Sequence, residues 1–170
     1  MEMLFIKSGQ WAVARPGTEI RTDLGSCVAL CLWDPAHHLG GMNHYVLPGS
    51  DTDLAPDGNS GRYANEVLLR QMLQAGASLR GLQGAIIGGG SLSPQGDPFQ
   101  IGCSNAAEAQ RLLAAYGIPL RYRRVGGPIS RHVALDAGRG LLSIKEIRMG
   151  TGRVHRYDHR FDPSPGKGIL

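Results

Sequence analysis

Apolar positions along this chain come mostly in short runs broken by glycine, proline and polar clusters. Residues 3–6 and 11–14 are two such runs and predict strands. Residues 19–23 lead into Leu24-Gly25-Ser26. Residues 27–33 are then almost wholly apolar, which predicts a strand covered on both faces. Asp34-Pro35-Ala36-His37 is a turn signal, and a strand over 39–47 ends at Pro48-Gly49. The rhythm changes at 62–75, where Ala64, Val67, Leu68, Met72 and Ala75 recur at helical spacing and Gly76 is a stop. A buried strand follows at 82–87. Asn105, with Glu108 three residues on, reads as the N-cap of a second helix that carries Ala106, Ala109, Leu113 and Tyr116 on one face and stops at Gly117. Strands are predicted at 120–125, 130–135 and 141–147. Residues 50–61 and 88–102 read as loops, and the polar, basic stretch 149–170 as a flexible C-terminal tail. Strands outnumber helices and several are consecutive. The pattern therefore predicts a single α+β domain over 1–148, with mixed or antiparallel β-sheets and two helices packed outside.

Composition sharpens this picture in two places. Glycine, 25 of 170 residues, is about twice the usual 7% share, which suits tight turns between strands. The formal charge of +4 favours acidic partners. Arg121, Arg123, Arg124, Arg148, Arg153, Arg156, Arg160 and Lys167 carry much of that excess. Scattered arginines are more often a solvated surface, and no aromatic-basic module accompanies them, so a nucleic-acid partner is not expected. The first ten residues lack the apolar core and cleavage site of a signal peptide, and no stretch approaches the ~20 apolar residues of a membrane helix. The expectation is a cytoplasmic protein without membrane insertion, whose three cysteines stay reduced.

Cys27 stands where a loop enters a buried strand, so its backbone is held while its side chain is reachable. The N–H groups of Gly25 and Ser26 lie beside it as candidate oxyanion donors. A free cysteine is often just a packed apolar side chain, and position alone favours that reading. His44 changes the balance. With a two-residue loop at Pro35-Ala36 it faces Cys27 directly, and with a four-residue loop the two are diagonal neighbours. Either even loop puts thiol and imidazole on one face, where imidazole lowers the thiol pKa, whereas an odd loop would put them on opposite faces. A third group should orient the imidazole. Thr22 precedes the turn, Asp23 is near in sequence, and Asn43 adjoins His44 but points to the other face of its strand. Cys27 and Cys31 are too far apart along a strand to share a zinc ion, and no metal or cofactor site is expected. Gly88-Gly89-Gly90-Ser91 fails both phosphate-loop patterns. A Cys-His protease or acyltransferase, and a non-catalytic adaptor, remain compatible with these residues.

Leu24-Gly25-Ser26-Cys27-Val28, then Asp34-Pro35, then Gly40-Gly41-Met42-Asn43-His44-Tyr45-Val46-Leu47-Pro48 resembles the signature of the CheD family of chemoreceptor glutamine deamidases. Gly61-Arg62-Tyr63-Ala64-Asn65, Ile101-Gly102 with Asn105, and Gly126-Gly127 add weaker matches, and the resemblance runs from about residue 4 to 148. It implies β-sheets packed as a sandwich with flanking helices, similar to bacterial toxin deamidases. It implies Cys27 as nucleophile, His44 as base, and no cofactor. Gly25, Ser26 and Asn43 would hold the oxyanion or position substrate. The family carries Thr or Ser shortly before the turn, often six residues before the cysteine. Arg21 stands there, and Thr22, five before, is the available hydroxyl. The implied reaction converts glutamine to glutamate on methyl-accepting chemotaxis receptors, through a thioester. The implied partners are the receptors' cytoplasmic helical bundle and a CheC-type phosphatase.

Overall fold

The strand Val28–Asp34 is buried along its whole length, as its unbroken apolar run predicts. It lies between two other layers. Ala29, Cys31 and Trp33 face one apolar cluster, while Val28, Leu30 and Leu32 face another. The computed structural model describes residues 1–50, 52, 56–97 and 100–164. Over these the elements run β1 (Glu2–Phe5), β2 (Trp11–Ala14), β3 (Thr18–Leu24), β4 (Val28–Asp34), β5 (Leu39–Asn43), α1 (Gly61–Gln74), β6 (Gln83–Gly88), α2 (Ile101–Ala115), β7 (Leu120–Val125), β8 (Ile129–Asp136), β9 (Leu141–Arg148) and β10 (Val154–Arg160).

The strands form two five-stranded sheets, ordered β1-β3-β8-β9-β10 and β2-β5-β4-β6-β7. Each is mixed: β1 runs parallel to β3 and β6 parallel to β7, and the other pairs are antiparallel. The sheets stack through an inner core that includes Ile20, Leu24, Trp33, Met42, Leu135 and Ile144. Both helices cover the far side of the second sheet, around Leu30, Leu68, Met72, Ile86 and Leu112. The fold is thus the α+β class expected, in three layers.

Several boundaries differ from the sequence reading. Strand β5 ends at Asn43 instead of 47, with Tyr45 and Leu47 in isolated bridges beyond it. Helix α2 begins at Ile101, four residues before Asn105, so Asn105 lies inside the helix and is not its N-cap. The carboxylate of Asp97 accepts hydrogen bonds from the N–H groups of Ile101 and Gly102, both at 3.0 Å. The expected flexible tail instead carries β10, paired along its length with β9. Beyond it Phe161 is fully buried and stacks on Trp33 at 5.9 Å between ring centroids. Burying such a side chain contributes roughly 1.5–3 kcal/mol. His159 stacks on Tyr122 of β7 at 4.5 Å, and the Arg124 guanidinium sits 3.9 Å from the Tyr157 ring centroid. Part of the arginine excess is therefore structural. Arg124 and the buried Arg131 both bond the buried carboxylate of Glu146.

Candidate active site

The link between β4 and β5 leaves four residues, Pro35 to His38, between the paired Asp34 and Leu39. Asp34 is fully buried and holds the turn through the N–H groups of Ala36 and Ser78 and the ring of His37. This is the longer of the two even loops. In the same register Val28 bridges Tyr45, which makes Cys27 and His44 diagonal neighbours on the face turned toward the other sheet. Such neighbours stand roughly 7–8 Å apart at the backbone, within reach of an imidazole.

The other sheet supplies the third group. In β3 the residues Ile20, Thr22 and Leu24 point inward, and Arg21 and Asp23 point to solvent. The Thr22 hydroxyl meets His44 Nδ1 at 2.7 Å and donates to the Ile6 carbonyl at 2.8 Å. A carbonyl only accepts, so the single hydroxyl hydrogen goes to Ile6, and Oγ1 accepts from an Nδ1–H of His44. That assignment leaves Nε2 of the neutral ring bare, as a general base requires. The backbone of His44 is fixed as well. Its N–H donates to Gln10 at 3.1 Å, and its carbonyl accepts from Gly9 at 2.7 Å.

Asn43 does not join this group. Its side chain lies on the helix side of β5, where Oδ1 accepts from the Leu30 N–H at 2.9 Å and Nδ2 donates to Asn65 at 2.8 Å. The alternation of side chains along β5 turns it away from Cys27, so it is not placed to position substrate there. Asp23 pairs with His132 on the solvent face of its sheet and is not the orienting group either.

The turn bearing Cys27 is held through three consecutive carbonyls. Gly25 O accepts from the Gly90 N–H at 2.8 Å, and Cys27 O from the Gly89 N–H at 2.8 Å. Ser26 O accepts from the side-chain Nδ2 of Asn105 at 3.3 Å. The glycine run is needed for this close approach. Gly88 has φ +120°, and a Cβ there would lie 2.3 Å from Cys27 O. Arg131 braces the same run, donating to Gly88 O at 2.9 Å and Gly126 O at 2.7 Å. By sequence, residues 88–90 read only as a connecting or substrate-lining loop. The signal available was three glycines directly after a buried strand.

Burial sets the resting charge of the pair. It pushes the Cys27 thiol above its ordinary value of 9.0, against a lowering by the residue's own backbone N–H. It pushes the His44 imidazole below 6.5, against a weaker upward pull from Asp23. The expected lowering of the thiol pKa by His44 is not found: desolvation dominates, and thiol and imidazole rest neutral near pH 7. Cys31, on the same strand, is pushed up to about 12 by complete burial and is a packing residue. Among the described residues no three His, Cys, Asp or Glu side chains gather as metal ligands.

Two grooves are lined by residues adjoining the segments that hold the pair. One, about 270 Å³, lies beside Ser26 and Gly90 and is walled by Ser91, Leu92 and Asp97. The other, about 460 Å³, lies beside the Gly9-Gln10 segment that holds His44 and is walled by Leu4, Phe5 and Trp11. A larger groove of about 510 Å³ opens on the outer face of the β1-containing sheet, among Arg21, His132 and Lys145, away from the thiol.

Residues 46–146 match the family described as CheD chemotactic sensory transduction. The chain is 42% identical over 162 residues to the probable chemoreceptor glutamine deamidase CheD of Caulobacter sp. (strain K31), covering 92% of this chain and 85% of that protein. The chain belongs to the CheD family. The segment matched by the family model begins just after His44. Probable chemoreceptor glutamine deamidase CheD 2 of Dechloromonas aromatica (strain RCB) is 42% identical over 133 residues, covering 75% of this chain and 66% of its own. The CheD of Caulobacter vibrioides (strain NA1000 / CB15N) is also 42% identical, over 71% of this chain and 64% of its own. The matched part is thus about two thirds of the length of these CheD relatives. Among solved structures, the Bacillus licheniformis hypothetical protein YfiH aligns with a TM-score of 0.44 at 13% identity, over 67% of this chain and 49% of its own.

Proposed function

We propose that this CheD-family chain hydrolyses glutamine side chains of methyl-accepting chemotaxis receptors to glutamate. The observation that carries the reading is the 2.7 Å contact between Thr22 Oγ1 and His44 Nδ1, which readies Nε2 on the face it shares with Cys27. As Cys27 Sγ attacks the carboxamide carbon, His44 Nε2 takes the thiol proton, and backbone N–H groups of residues 25–27 hold the oxyanion. The tetrahedral adduct collapses when His44 returns that proton to the leaving nitrogen, releasing ammonia and leaving a thioester. Water, deprotonated by the same imidazole, adds to the thioester carbon. The sulfur leaves, regains a proton, and glutamate is formed. Thr22 keeps the ring in one tautomer throughout.

The names of the CheD relatives support the substrate class. The +4 charge suits an acidic receptor bundle. The compartment that fits is the cytoplasm, where the free thiols of Cys27, Cys31 and Cys103 stay reduced. A CheC-type phosphatase, as the family resemblance implies, is the second partner in this reading. Mass spectrometry of a receptor cytoplasmic fragment tests the activity. The wild-type chain should add about 1 Da per modified glutamine, an amide becoming an acid, and a folded Cys27→Ala variant should add none. An unmodified fragment with the wild-type chain, or equal conversion by Cys27→Ala, overturns the proposal.

A further inference from the structure

The mechanism leaves open which backbone N–H receives the oxyanion, and Asn105 decides it. Asn105 is fully buried in α2. Its side-chain Nδ2 donates to Val46 O at 2.8 Å and to Ser26 O at 3.3 Å. These carbonyls belong to the residue before the nucleophile and to the residue opposite it on the neighbouring strand. The backbone carbonyl of Asn105 is also used, as acceptor for the Tyr45 hydroxyl. One residue of the helix layer therefore ties together the segments that carry Cys27 and His44.

In a trans peptide the carbonyl and the following N–H point in opposite directions. Drawing Ser26 O toward Asn105 aims the Cys27 N–H away from α2. A second observation agrees: that N–H faces the residue's own thiol, where it favours the thiolate. The flanking carbonyls of Gly25 and Cys27 are pinned by Gly90 and Gly89, so the peptide cannot turn over without breaking neighbouring bonds.

We infer that Asn105 is a positioning residue that turns the Ser26–Cys27 peptide so that the Cys27 N–H becomes the main oxyanion donor for the acyl carbon bonded to Cys27. The inference rests on the thioester reading above and goes beyond it, because Asn105 touches neither substrate nor thiol. It acts only when a carbonyl becomes tetrahedral. Alkylation of the same sulfur makes no oxyanion and should feel it only through the lesser effect of that N–H on the thiol.

The test compares wild type, Asn105→Ala and Asn105→Asp, each checked by thermal melting. A receptor cytoplasmic fragment is the deamidation substrate and iodoacetamide the alkylating probe of Cys27. For Asn105→Ala, kcat should fall on the order of 10²-fold, the usual effect of losing one oxyanion donor, with KM nearly unchanged. The rate of Cys27 alkylation should change far less than kcat, because burial outweighs this N–H in setting the thiol pKa. Asn105→Asp fills the same space, and only its protonated carboxyl can donate to Ser26 O. Its kcat relative to wild type should therefore rise as pH falls. Wild-type kcat in folded Asn105→Ala overturns the inference. So does a parallel loss of alkylation, which would make Asn105 a support for the fold or the thiol. An Asn105→Asp ratio that stays flat with pH overturns it too. Failure of the deamidase reading shows differently, as no conversion by the wild-type chain.

Discussion

At the scale of single residues, the third member of the site is a hydroxyl in place of a carboxylate, and its identity follows from which way β3 faces. Ile20, Thr22 and Leu24 turn inward, while Glu19, Arg21 and Asp23 turn out. That alternation is visible in the sequence as a plain period of two, and the pattern by itself favours Thr22 over Arg21. What the sequence did not reveal is the partner on the far side of the hydroxyl, Ile6 O, which fixes the imidazole tautomer. Thr22→Val removes the acceptor for Nδ1–H while keeping the volume, and should lower single-turnover deamidation on the order of 10²-fold through a misplaced ring. Arg21→Ala, on the solvent face, should stay within about twofold. In both variants, as in wild type, alkylation of Cys27 followed against pH should have its midpoint above 9.0, the direction set by burial. A crippled Arg21→Ala beside a silent Thr22→Val would reassign the third residue.

Among the elements, the β4–β5 hairpin was legible because its apolar runs and its Asp-Pro turn agree. The length of its loop, and with it whether Cys27 and His44 share a face, needed the structure. Strand β10 was not legible. Its residues are mostly charged or histidine, and it is held by pairing with β9 and by rings and a guanidinium from β7, none of which leaves a local pattern. The start of α2 was missed for a related reason. Ile101-Gly102-Cys103-Ser104 has weak helix propensity, and the carboxylate that caps it lies outside the helix, at Asp97. The bracing of the nucleophile turn by residues 88–90 is also a contact between distant segments. Gly88→Ala tests it. A methyl group there meets Cys27 O at 2.3 Å in a backbone conformation that alanine rarely adopts. The variant should be destabilised by about 1–3 kcal/mol and lose most of its turnover. A melt and a rate matching wild type would show that the turn has room to shift.

For the molecule as a whole, the two sheets are tied beside the site by an ionic knot. Glu146 of β9 is buried and accepts from Arg131 of β8 and Arg124 of β7, so one carboxylate joins strands of both sheets. Burial raises the pKa of Glu146, but the hydrogen bonds and charges of the two arginines outweigh it, and the net shift is downward. The stabilisation is therefore complete above the unfolded-state value near 4.5 and is lost as pH falls through the lower folded-state value. Glu146→Gln leaves Arg131 buried without its counter-charge and should cost about 3 kcal/mol in urea unfolding at pH 7. The difference from wild type should shrink as both are titrated to acid. A constant difference down to pH 3 would mean that the carboxylate's charge is not what joins the sheets.

The neutral resting state of Cys27 bears on how long such a chain remains usable. Peroxide oxidises thiolates, and it reacts poorly with a sulfur that keeps its proton. An ion pair standing ready at pH 7 would expose Cys27 to every oxidant passing through the groove. In the proposed reaction the sulfur gives up its proton to His44 only as it bonds to a carboxamide carbon. In that reading, restraint toward other electrophiles comes from the burial that keeps the thiol protonated.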